Sequence, residues 1–208
     1  MHIKSPITNS HNVLFEEEIS IDVIIEKYIQ DYQIDVSLYF SEVDSLKIYR
    51  CLDTGYRFYF PLKPTGDGDL YEKLQEQPWY YGIRWEHLTS ENFVKANDLV
   101  LEIGCGRGYF LEKLSNKGIL CTGLELNEDA VDFVKSKGLN VLKQDIKEHA
   151  IEYCEKYDVV CYFQVLEHVP NVNEFIQASL DALKTGGKLI IGVPIVINFS
   201  ISMTNIIL

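Results

Sequence analysis

No stretch of this chain approaches the roughly twenty consecutive apolar residues that span a bilayer. Its opening residues, MHIKSPITNSHNVLFEEE, hold neither an apolar h-region nor a small-residue cleavage pattern. The expectation is a cytoplasmic protein with no membrane partner. Paired cysteines are missing as well. The five, Cys51, Cys105, Cys121, Cys154 and Cys161, are odd in number and none stands in a C-x-x-C, so neither a disulfide framework nor a zinc site is expected. Cys121 and Cys161 lie in apolar, strand-like runs, where a free thiol acts as a small buried hydrophobe. Cys51 stands where a metal knuckle would begin, but Thr54 takes the second cysteine's place, and no metal is expected. Basic clusters are lacking too: 19 Lys and Arg face 31 Asp and Glu, a formal charge of -12. That balance argues against phosphate backbones and anionic membranes, and no nucleic-acid partner is expected.

What remains is a globular composition, 47% hydrophobic and 24% charged over 208 residues, suited to one domain with an added segment. Its organising stretch is Asp98 to Leu114, DLVLEIGCGRGYFLEKL. Leu99, Val100, Leu101 and Ile103 make the short apolar run of a buried parallel strand, interrupted by Glu102. Gly104, Gly106 and Gly108 follow, then Phe110, Leu111 and Leu114 at helical spacing. The pattern predicts a strand, a tight ligand-facing turn and a helix whose N-terminal N–H groups favour a polar ligand. A dinucleotide loop reads G-x-G-x-x-G; here its third glycine position is Tyr109.

The E-x-G-x-G-x-G spelling instead resembles motif I of the class I S-adenosylmethionine (SAM) dependent methyltransferases. The resemblance implies a doubly wound, mostly parallel α/β sheet of Rossmann-like type. It also implies that the loop, Cys105 included, wraps the amino-acid end of SAM while Glu102 reaches the ammonium. Three further stretches match in order. Leu120 to Leu124 reads as a second strand ending on Glu125, with Asn127 as N-cap of a helix that Gly138 closes. An acid about twenty residues past the glycine loop is where nucleotide-binding folds hold a ribose diol, and the resemblance implies that role for Glu125, beside Leu126. After a short strand, Leu139 to Leu142, the family's adenine contacts fall on Asp145 and Ile146; by itself Asp145 equally caps the following helix. Val159 to Phe163 reads as the central strand, and Gln164-Val165-Leu166-Glu167-His168-Val169 resembles the V-L-E-H-V signature of small-molecule and glycan methyltransferases. Phe163 and Gln164 then stand at the strand's ligand-binding end, and His168 is the candidate base. The alternative is that Glu167 and His168 orient the loop or cap the next helix.

Upstream, Met1 to about Asn12 reads as a loose leader. Ile21 to Tyr32 is an amphipathic helix that packs on the core or on a neighbouring chain, which leaves a homodimer open. Leu46 to Phe60 reads as a β-hairpin turning at Asp53-Thr54-Gly55. The aromatic segment Gln77 to Leu88 either walls a pocket or fills core; in similar methyltransferases it folds over SAM, which implies Tyr81 and Arg84 as pocket residues. Phe175 to Leu183 is expected helical, then a Gly-Gly turn and a strand from Lys188 to Val193. Beyond Pro194 the resemblance stops before the fold's closing elements. The expected organisation is an N-terminal extension over 1–90 and a SAM-binding domain over 91–208, incomplete at its C-terminal end. The function expected is methyl transfer to an O or N atom of a small-molecule or glycan acceptor. The rivals are a non-catalytic SAM- or partner-binding module and a nucleotide-linked oxidoreductase.

Overall fold

The computed structural model describes residues 3–61, 66, 68–77, 82 and 84–193. Contacts divide the chain into two compact units, one built mainly from residues up to Pro78 and the other from Trp79 onward.

In the first unit, strands β1 (Val13–Ser20), β2 (Ser45–Cys51) and β3 (Arg57–Phe60) form an antiparallel sheet in that order. The hairpin turns at Gly55, whose φ of 77° only glycine adopts freely, and Cys51 N–H donates to Tyr56 O at 2.8 Å. Helix α1 (Ile21–Tyr32) has its expected bounds and buries Ile21, Ile24 and Tyr28. The three consecutive glutamates of β1 read poorly as a strand. They are accommodated because Glu16 pairs with Arg50 and Arg57 and Glu18 with Lys47 across the sheet. Helix α2 (Gly68–Gln75) completes the described part of this unit.

The second unit is doubly wound. Helices α3 (Trp85–Ser90), α4 (Tyr109–Ser115), α5 (Glu128–Ser136), α6 (Ile146–Glu152) and α7 (Val172–Ala182) accompany strands β4 (Leu99–Ile103), β5 (Leu120–Leu124), β6 (Val141–Leu142), β7 (Tyr157–Phe163) and β8 (Leu183–Gly192). The strands lie in the order β6-β5-β4-β7-β8, every pair parallel. Alternation along the central strands sorts the core onto two faces. Leu101, Ile103, Val160 and Tyr162 pack with Ile146, Ala150, Phe175 and Ala178 of α6 and α7. Val100, Val159, Cys161 and Phe163 pack with Phe110 and Leu114 of α4. Helix α3 falls within this unit, its His87 ring packing on Phe110 and Phe163. Several element bounds differ from expectation. α7 starts at Val172, and β8 starts at Leu183, its register with β7 slipping between Tyr157 and Val159; the expected Gly-Gly turn is a bulge within it, with Gly186 at φ 80°.

Candidate active site

All five strands point the same way, so their carboxyl ends share one edge, and the chain reverses its winding direction between β4 and β7. Open α/β sheets bind ligands at that switch. The loop after β4 carries Gly104, Gly106 and Gly108 at φ values of 67°, 53° and 72°. A side chain at Gly104 would place its Cβ 2.6 Å from Val165 Cγ2, so the residue must be glycine for the loop to lie against the turn after β7.

The loop's donors are largely spent within the protein. Gly104 and Cys105 N–H both donate to Leu124 O (2.8 and 3.0 Å), Gly108 N–H donates to Cys105 O (2.9 Å), and Gly106 N–H donates to Glu125 Oε2 (2.8 Å). Glu125 Oε1 also accepts from Leu126 and Asn127 N–H, at 2.8 and 2.9 Å. One half-buried carboxylate thus ties the end of β5 to the glycine loop. What this edge offers a ligand is therefore negative charge more than amide donors, which suits a cation better than a pyrophosphate.

Glu102 sharpens the point. It is 3% exposed, and its Oε2 has no hydrogen-bond partner among the described residues. Burial, and then the charge of Glu125, hold its carboxyl well above the usual carboxylate range. A nearby cation would restore the ionised form.

The other expected residues fall into three groups. Leu126 is 63% exposed beside Glu125 and presents apolar surface at the edge. Asp145 is the N-cap of α6, its Oδ1 accepting from Lys147 N–H at 2.7 Å, and the neighbouring Gln144 side chain is hydrogen-bonded to buried His149 at 2.8 Å. Three side chains turn inward instead. Ile146 is 1% exposed within the α6–α7 face of the core and presents no free surface to a ring. Cys105 packs with Leu111, Val131 and Val134, its thiol pushed up by burial, so only its backbone belongs to the loop. The Phe163 ring stands edge-on to Phe110 and His87, with centroids 5.2 and 5.0 Å apart. Only its main chain reaches the edge. Tyr81 lies outside the described residues.

Past β7, Gln164 takes a left-handed backbone, φ 56°, and its N–H donates to Gly192 O at 2.8 Å. Its Nε2 donates to Glu86 Oε1 at 2.7 Å. Glu167 and His168 follow on a single 3-10 turn (Leu166–His168), with Glu167 Oε1 3.9 Å from His168 Nε2. Burial pushes the Glu167 carboxyl up to about 7, opposed by Arg84 and reinforced by Glu86. Burial drops His168 to about 4, so its ring is neutral and weakly basic at pH 7. Arg84, the N-cap of α3, thus lies within electrostatic reach of this turn. Sequence reasoning missed Glu86 and saw His87 only as one of the side chains of the aromatic segment. The signal was there, an acid and an imidazole inside the aromatic segment, but nothing local says that α3 delivers them to the end of β7. Among the described residues no group of three His, Cys, Asp or Glu is placed to hold a metal ion, and no helix is long and apolar enough to cross a membrane.

The methyltransferase domain family matches residues 80–196. The ubiquinone biosynthesis O-methyltransferase of Glaesserella parasuis serovar 5 (strain SH0165) is 37% identical over 102 residues, covering 44% of this chain and 43% of that protein. The Shewanella pealeana protein of the same name is 36% identical over 94 residues, covering 42% and 40%. The chain thus spans less than half the length of either relative. A SAM-dependent methyltransferase from Archaeoglobus fulgidus superposes with a TM-score of 0.49 at 27% identity, covering 57% of this chain and 56% of that one.

Proposed function

This chain belongs to the methyltransferase domain family, matched over residues 80–196, and from that premise we propose that it moves a methyl group from SAM to an oxygen atom of a small-molecule acceptor. The observation that carries the reading is the buried carboxyl of Glu102, with one oxygen unpartnered among the described residues at the foot of the glycine loop. A dinucleotide would bring anions to that place, whereas SAM brings an ammonium. Glu102 and the Gly104–Gly108 backbone hold its amino-acid end, Glu125 with Leu126 the ribose, and Asp145 the adenine amino group. Bound SAM supplies a methyl group already activated on a sulfonium.

The chain's own residues then have to hold an acceptor in line, exclude water and remove one proton. For the proton, Glu167 suits neutral pH better than His168, since a carboxyl near 7 accepts a proton where an imidazole near 4 scarcely does. The O-methyltransferase names of the relatives support an oxygen acceptor; the acidic chain supports an acceptor without a phosphate backbone.

Calorimetric titration with S-adenosylhomocysteine tests the reading. The wild-type chain should bind it, and Glu125→Ala should weaken binding by about tenfold or more, as loss of a charged hydrogen-bonding group in a ligand site does. Absence of binding to the folded wild type overturns the proposal. Binding without turnover on any hydroxyl acceptor would favour the non-catalytic module.

A further inference from the structure

We propose that Glu86 faces the methylsulfonium cation of SAM and makes the site discriminate that cation from the neutral thioether left after transfer. The inference rests on the cofactor assignment above and adds to it a residue from outside the loops of the sheet.

Glu86 lies in the first turn of α3 and is 7% exposed. Its Oε1 accepts the hydrogen bond from Gln164, while its Oε2 has no partner among the described residues. A carboxylate withdrawn from water with one oxygen idle is costly, and a complementary cation removes the cost. The surroundings hold it in that place. Gln164 is anchored through its main chain to Gly192 O and through its side chain to Glu86. At Gly192 an added Cβ would come 3.2 Å from Glu86 Cγ and 3.0 Å from Phe163 Cδ1, so the absence of a side chain there makes room for the carboxylate at the ends of β7 and β8.

The order of acids along the edge says which cation. Asp145 follows β6, Glu125 follows β5, and Glu102 with the glycines closes β4. These serve the adenine, the ribose and the ammonium in turn. The sulfonium is bonded to both the ribose and the amino-acid end, so its methyl group must turn away from both. The next strand end along the edge is that of β7, where Gln164 presents Glu86. SAM carries two positive charges, and the motif acids answer only the ammonium. Glu167 lies within electrostatic reach of Glu86 and Arg84, but it is the residue proposed to take the acceptor's proton, which leaves the cation to Glu86.

The test is calorimetry with three probes: SAM, S-adenosylhomocysteine, and sinefungin, which carries an ammonium in place of the methylsulfonium. Glu86→Gln should weaken SAM and sinefungin by about tenfold and leave S-adenosylhomocysteine within about twofold, as loss of one partly desolvated charge pair does. Equal loss for all three probes, or no loss, overturns the inference while the cofactor assignment stands. No binding of S-adenosylhomocysteine to the wild type overturns the assignment itself. Should circular dichroism show Glu86→Gln unfolded, Glu86→Asp keeps the charge but withdraws it by one methylene. It should give a smaller loss confined to the two cations, and a uniform loss or none again overturns the inference.

Discussion

At Glu167 and His168, two neighbouring side chains titrate against each other. Burial lowers His168 from 6.5 to about 4 and raises Glu167 from 4.5 to about 7. As pH falls from 6.5 toward 4, unfolded chains protonate the histidine while folded ones do not, so stability falls. As pH falls from 7 toward 4.5, folded chains protonate the glutamate first, so stability rises. Each effect is worth about 1.4 kcal/mol per pH unit within its window. Between 4.5 and 6.5 they cancel, because either state holds one proton on the pair. Denaturant titrations over that range should therefore show the stability of Glu167→Gln falling with acidification relative to wild type, and that of His168→Gln rising. Parallel curves would show that the two side chains are not buried as described. The titratable motif residues were legible in sequence. Their shifts were not, since the burial and the charges of Arg84 and Glu86 that set them come from the folded chain.

Helices α5 and α6 start in similar ways. Asn127 Oδ1 accepts from Ala130 N–H at 2.8 Å, and Asp145 Oδ1 accepts from Lys147 N–H at 2.7 Å. Only the second cap is proposed to hold cofactor as well. Asn127→Ala and Asp145→Ala should each cost about 1 kcal/mol of stability. Asp145→Asn should keep the cap and the melting temperature yet weaken S-adenosylhomocysteine. If Asp145→Asn binds as wild type does, Asp145 is a cap and nothing more. Elements with local punctuation were readable: α1 and α5 by their periodicity and boundary residues, β4 and β5 by apolar runs ending on acids. β1 was not, because its glutamates are stabilised by Lys47 and Arg50 on β2 and Arg57 on β3, distant in sequence. β6 is only two residues long, Val141–Leu142, and pairs along β5 at the sheet's edge.

Across the whole molecule, the formal charge of -12 sets up a negative field that draws cations toward an edge already lined with acids. SAM is a net cation and S-adenosylhomocysteine is neutral overall, so salt should separate them. Raising sodium chloride from about 0.05 to about 0.5 M should weaken SAM several-fold and leave S-adenosylhomocysteine nearly unchanged, since the screening length shrinks to a few ångströms. Equal salt dependence would place the acids too far from the ligand's charge for the roles proposed.

The order of residues was enough for the glycine loop and for an acid at the end of β5, and the resemblance of its motifs to a known family was enough for the α/β class and their order along the sheet. Each motif depends on neighbours within about one turn or one strand, and short-range stereochemistry writes them directly into the chain. Tertiary structure decided the rest. It turned the Phe163, Ile146 and Cys105 side chains into the core and spent the loop's amides on Leu124 and Glu125. It also left oxygens of Glu102 and Glu86 buried without a partner among the described residues, and brought Glu86 to Gln164 across 78 positions of chain. Burial and long-range charge depend on which elements pack together, and no window of sequence contains both sides of such a contact.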